Sequence, residues 1–207
     1  MFGMLALPGG RLPHRETPFA ERSFRNGSGD AASPGITFLR CRVELHRTEA
    51  RATDAFETHY ADETTPEDDA EFAEISFSGV TRHQLPLDLI ELPHRFATYT
   101  TVAGAAAVQA DHAVGVVRRG TIVWVSVAQG HGAAKLADTI GGIAAAMVER
   151  EIGDGEITVD ADGQHHGALW NLLPALDDVP PELILDTEAS PDGRFNPLGT
   201  PAPTPDS

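Results

Sequence analysis

The chain has 207 residues, with 31 acidic side chains against 15 basic ones and a formal charge of −16. That length suits one compact domain, and a core of ~150 residues would bury roughly 70% of its unfolded surface with no disulfide or metal to staple it. The acid surplus repels nucleic acid and anionic lipid, which both need clustered Lys and Arg, so neither is expected as a partner.

Residues 1–35 hold Gly, Pro, Arg and Ser without a sustained period and are expected to be loosely ordered, with "FRNGSGDAASPG" an exposed loop. The opening "MFGMLALPGGRLPHR" sets a short apolar patch ahead of its first Arg, which reverses the order of a secretory signal. The expectation is a cytoplasmic protein or a chain lacking its true beginning. "ITFLRCRVEL" then alternates, with Leu39, Cys41, Val43 and Leu45 on one side and Arg40, Arg42 and Glu44 on the other. This period of two predicts a strand with one buried face. Cys41 points inward and reads as a structural thiol; being the single cysteine, it forms no intramolecular disulfide and leaves the redox compartment open.

Thr48 suits the N-cap of a helix over "EARATDAFETHYADE", whose face gathers Ala52, Ala55, Phe56, His59 and Tyr60. His59 reads as a packing residue in preference to a ligand. Residues 62–74 carry seven acids and no base and read as a solvated loop containing Pro66. "EFAEISFSGV" resumes alternation through Ile75 and Phe77, a second strand; Pro86 and Pro93 bracket at most a helical turn. "RFATYTTVAG" is a further strand.

"AVGVV" and "TIVWVSV" flank Arg118-Arg119-Gly120 and predict a hairpin with a three-residue connection, in which Gly120 supplies a positive φ. Val123, Val125 and Val127 face one way, and Ile122, Trp124 and Ser126 the other. With both sides mostly apolar, these strands should lie centrally under at least one helix. Arg118 and Arg119 at the tip read as a solvated turn. "GHGAAKLADTIGGIAAAMVERE" predicts an amphipathic helix burying Leu136, Ile140, Ile143, Met147 and Val148. Close approach of helix to sheet would explain Gly141-Gly142 in its interior. From residue 154 onward there are eleven acids and only Arg194. Residues 152–188 read as an extension with a short helix, a turn and one strand, and residues 189–207 as a disordered tail.

Catalytic signatures are sparse. Asp160, Asp162, His165 and His166 fall within seven residues, yet an EF-hand register would put Thr158 and Leu169 where acids are required. No HExxH, no cysteine pair for zinc, no GxxxxGK[ST] and no strand-to-helix GxGxxG occurs, so no metal and no cofactor is assigned. Ser126 sits mid-strand, away from any nucleophile elbow. Trp124, Trp170, Phe96 and Tyr99 would line a groove or fill a core, and the core explains them as well or better. No catalytic or ligand-binding residue is assigned from the sequence.

"GVVRRGTIVWVSVAQG", followed by its Ala-rich helix, resembles the end of small α+β units in secreted lipoproteins of actinobacteria and Chloroflexi-type bacteria. "RSFRNGSGDAASPGITFLRCRVELHRTEARATDAFE" is similar to the opening strand and helix of those units. "LWNLLPALDDVPPELILDTEA" is similar to the segment with which such units begin. The resemblance spans roughly residues 22–188 and implies an extracytoplasmic, non-enzymatic cell-envelope module, distantly like envelope sensor domains, binding a small ligand or an envelope component. A structural or adhesive repeat is the alternative, and a hydrolase using Asp160, Asp162, His165 or His166 a third reading. The expected fold is α+β: an antiparallel sheet of about five strands with two main helices packed on it, in the order β-α-β-β-β-β-α. Its core is expected at residues 36–151, with residues 152–188 starting a second unit.

Overall fold

The computed structural model describes residues 17–27, 35–64, 75–77, 81–82, 91–103, 108–151, 158–159, 165–166 and 168–186. In chain order these form β1 (Phe19–Asn26), β2 (Ile36–Leu45), α1 (Glu49–Thr64), β3 (Ile75–Phe77), β4 (Thr81–Arg82), β5 (His94–Ala103) and β6 (Val108–Arg119). Then come β7 (Ile122–Gly130), α2 (Ala133–Glu149), β8 (Thr158–Val159), β9 (His165–His166), 3-10 turns at Ala168–Leu172 and Leu176–Asp178, and β10 (Leu183–Leu185). The main sheet runs β10-β1-β2-β7-β6-β5-β3 with every neighbour antiparallel, and β4 adds onto β5. β8 and β9 form a separate two-stranded ribbon.

The β-branched stretch of β7 lies at the centre because neither of its faces suits water. Ile122, Trp124 and Ala128 join one core cluster with Leu136, Ile140, Ile143, Met147 and Val148 of α2. Val123, Val125 and Val127 join a second cluster with Ala52 and Phe56 of α1, flanked by Ala55 and Tyr60. One helix therefore covers each face. Fully burying a side chain of this size stabilises by about 1.5–3 kcal/mol, so both helices are held mainly by this apolar contact. α1 starts at the expected cap: the Thr48 carbonyl accepts the Ala52 N–H at 3.1 Å, and Thr48 Oγ1 accepts the Arg51 N–H at 3.3 Å.

The fold is α+β and antiparallel, as the sequence pattern predicts, but the sheet is wider than about five strands. The element order starts β-β-α, because β1 precedes the alternating strand, and β10 closes the far edge. The core accordingly extends beyond residues 36–151 at both ends. Residues 1–35, expected to be loose, contribute Ala20 and Phe24 to the α2-side cluster. Residues 168–186 contribute Leu169, Leu172, Leu173, Val179 and Leu183 to that same cluster, and β10 pairs with β1 from Phe24↔Leu185 to Asn26↔Leu183. Arg22 pins this segment by donating from Nη1 to the Pro174 carbonyl at 2.7 Å, while its guanidinium lies 4.9 Å from the Trp170 ring centre. Arg150 pairs with Asp178 beside it. The segment expected to begin a second unit thus completes the first.

Two glycine expectations change in detail. The β6–β7 loop is the two residues Gly120 and Thr121, closed by the pair Arg119↔Ile122, and not a three-residue connection. Gly120 at φ 60 occupies the first loop position, where a left-handed residue matches the twist of the flanking strands. A close helix-to-sheet approach falls at Gly115 of β6, where an added Cβ would meet Ile140 Cγ2 at 2.9 Å; within α2, Gly141 is buried, whereas a Cβ on Gly142 would meet open space. Among the described residues no helix is long and apolar enough to cross a membrane.

Candidate functional site

The polar side of β2 does not face water. Leu39, Cys41 and Val43 enter the α2-side core, so alternation turns Arg40, Arg42 and Glu44 toward α1. Glu44 is 0% exposed, and its charge is satisfied from three directions. Arg42 Nε donates to Oε1 at 2.7 Å, and His46 Nε2 lies in hydrogen-bond contact with Oε2 at 3.0 Å. His59 Nε2 of α1 stands 3.0 Å from Oε1, an ion-pair distance with the ring N–H direction off a hydrogen bond. Burial pushes the Glu44 carboxyl up, but the close contacts of His46 and His59 and the charges of His59 and Arg42 outweigh it and hold it well below the usual carboxylate range. Arg42 also reaches Glu21 Oε2 of β1 at 3.5 Å and sits 4.0 Å from the Phe19 ring centre.

One step along β2, Arg40 pairs with Oε1 of Glu63 in the last turn of α1. Glu63 is buried, and that burial raises its carboxyl above the ordinary value, with Arg40 and His59 opposing. Across the sheet, Ala97 of β5 and Val114 of β6 face α1, so Tyr99, Thr101 and His112 share that face. Tyr99 and His112 are register partners whose rings stack in parallel with centres 4.7 Å apart. The Tyr99 phenol is pushed up by burial first and then by the Glu63 charge, with Arg40 opposing. His112 Nε2 is 2.8 Å from Thr101 Oγ1, and burial pushes the imidazole down to about 4, Asp111 opposing.

Buried polar atoms in folded proteins are nearly always hydrogen-bonded, so the exceptions mark where something is missing. Among the described residues Glu63 Oε2 and His112 Nδ1 are such exceptions on this face, and Arg42 Nη2 and His59 Nε2 are two more in the Glu44 group. The α1 side of the sheet is therefore the candidate site, carrying the Arg40–Glu63 pair and the Tyr99, Thr101 and His112 group.

The residues singled out in the sequence are dispersed. Phe96 and Trp124 lie in the α2-side core with Trp170 at its margin, whereas Tyr99 faces α1, so the four aromatics line no common groove. Ser126 is buried and donates to Met147 Sδ at 3.5 Å. Cys41 is buried and its thiol is pushed up to about 12, chiefly by burial, which makes it a poor nucleophile. Arg118 donates to the Gly120 carbonyl, and Arg119 lies over the Trp124 ring at 5.4 Å. His59, read as packing, instead faces Glu44. Asp160 and Asp162 fall outside the described residues; His165 and His166 are described as the backbone of β9 only. Among the described residues no group of three His, Cys, Asp or Glu side chains is arranged to hold a metal ion. Neither a family model, nor a curated protein, nor a solved structure matches this chain.

Proposed function

We propose that the chain is a non-enzymatic module of the bacterial cell envelope that binds a small ligand on the α1 face of its sheet. The observation that carries the binding role is the pair of buried, unpaired atoms Glu63 Oε2 and His112 Nδ1, which a ligand would satisfy. The candidate nucleophiles Cys41 and Ser126 are held inside the opposite core, which supports binding over chemistry. The envelope location rests on the resemblance of the central hairpin and its helix to lipoprotein units. The adhesive-repeat alternative loses its main argument, since the leucine-rich segment at residues 168–186 is consumed by this unit's own core.

Two measurements test the proposal. Fractionation of the producing bacterium should find the protein with the envelope, and recovery in the cytosol alone would remove the location. A thermal-shift screen of envelope extracts should give a stabilising fraction whose effect is lost in Glu63→Gln. Turnover in a hydrolase screen, abolished by changing Asp160, Asp162, His165 or His166, would replace binding by catalysis.

A further inference from the structure

We propose that β10 is a docking edge for an extended, basic segment of another protein, one with an apolar residue two positions from a base. This role is separate from ligand binding on the α1 face. β10 ends the main sheet and meets β1 on one side only. The Gly27 N–H donates to the Glu182 carbonyl at 3.0 Å, and the Asp186 N–H to the Ser23 carbonyl at 2.8 Å. With Arg25↔Ile184 between them in register, the backbone of residues 182, 184 and 186 is turned to β1. The N–H and C=O of Leu183 and Leu185 therefore point away from the sheet. The Pro180 carbonyl accepts the Leu183 N–H at 2.9 Å. Among the described residues nothing accepts or donates at the Leu183 carbonyl or at either polar group of Leu185.

The side chain between those open groups is apolar. Ile184 is 46% exposed, and with Leu176 at 42% it makes up the exposed large apolar side chains among the described residues. Leu183 is buried in the α2-side cluster and Leu185 packs against it, so alternation turns Ile184 to the other side of the sheet. An added antiparallel strand would donate to the Leu183 and Leu185 carbonyls, accept the Leu185 N–H and cover Ile184.

Charge decides which strand fits. Glu182 and Asp186 flank Ile184 at two-residue spacing, on its own side of β10. A twofold pairing of two copies centred on Ile184 would set Glu182 of each opposite Asp186 of the other, and like charges so placed are destabilising. The charge of −16 on each copy adds to the repulsion. Asp186 is covered and stands 3.9 Å from Arg25; Glu182 is more open and stands 3.8 Å from Lys135. Both cations are more than half exposed, so neither pair is strong. A short edge carrying acids is one way in which sheets avoid joining their own kind. The same acids admit a base beside an apolar side chain, and the acid surplus steers such a partner inward.

The test uses the full chain labelled with 15N, amide NMR, and two capped peptides, TKTVTKT and its acidic counterpart TETVTET. In the free protein the Leu185 amide should exchange as an open one. The basic peptide should bind saturably, shift the amides of β10 and slow exchange at Leu185 by about tenfold or more. Raising salt from about 0.01 to 1 M shortens the Debye length from about 30 to 3 Å and should weaken the binding. Leu185→Pro removes an outward N–H, a change edge strands tolerate, and should weaken binding about fivefold, the loss of one hydrogen bond. Ile184→Lys should abolish it, and a retained thermal melt shows that each variant is folded. Equal or tighter binding of the acidic peptide would overturn the basic class. A Leu185 amide protected in the free protein would overturn the open edge: protection lost on dilution would make the occupant a second copy, and protection that persists would show the chain covering itself. No shift at Leu185 with about 1 mM basic peptide would overturn docking altogether. None of these outcomes touches ligand binding on the α1 face.

Discussion

Glu44→Gln keeps the side-chain shape at the centre of the polar layer and deletes its charge. Arg42 then retains only Glu21, at 3.5 Å, and stays confined against Phe19. Breaking one side of a buried pair costs about 3–5 kcal/mol, and the remaining amide oxygen recovers one neutral hydrogen bond of about 1 kcal/mol. The expected loss is ~3 kcal/mol. At about 2–4 °C per kcal/mol for a domain of this size, Tm should fall by roughly 6–12 °C. The pH dependence follows from the depressed carboxyl. Its stabilisation is fully present above the unfolded value near 4.5 and is lost only as pH falls through the lower folded value. The parent should therefore shed this contribution in acid, and Glu44→Gln should lack that part of the slope. Thermal and urea unfolding followed by circular dichroism at neutral and acidic pH measures both. A variant melting within about 1 °C of the parent at neutral pH would show that the Glu44 group contributes nothing net, and the reasoning would fail.

Three further outcomes are expected. Gly115→Ala places a Cβ 2.9 Å from Ile140 Cγ2 and should destabilise by about 1–3 kcal/mol, whereas Gly142→Ala enters open space on a helix and should stabilise by about 1 kcal/mol; paired urea melts decide the contrast. Leu172→Ala removes a fully buried side chain, and a loss of about 2–5 kcal/mol in a single unfolding transition would mark residues 168–186 as part of one core, while an unchanged melt would separate them. His112 takes its proton less readily folded than unfolded. Its contribution is therefore full above 6.5 and should fall by about 3 kcal/mol as pH drops toward 4, a slope that His112→Gln should remove from acid melts.

The apolar skeleton was readable because its signal is periodic. Val123, Val125 and Val127 against Ile122 and Trp124 announced a central strand under at least one helix, and the Leu136-to-Val148 stripe announced that helix. β1 escaped because the half-buried Arg22 and the buried Ser23 break the apolar alternation, and Arg22 is accommodated through a partner far away in sequence, Pro174. The candidate site escaped for the same reason. Arg40, Arg42 and Glu44 alternate with apolar residues just as a solvent-facing row would, and nothing in spacing says that His59 and Glu63, more than a dozen residues later, will cover them. The available hint was His59 on the apolar face of its helix, with charges of both signs on the preceding strand. His112 and Tyr99 meet only through the β5–β6 register, which no local pattern encodes.

The most direct test of the account is a high-resolution crystal structure of the full chain purified from its native host. The account predicts electron density of a bound molecule on the α1 face, within hydrogen-bond distance of Glu63 Oε2 or His112 Nδ1. Those two atoms bonded to each other, or closed over by an apolar side chain, would contradict it.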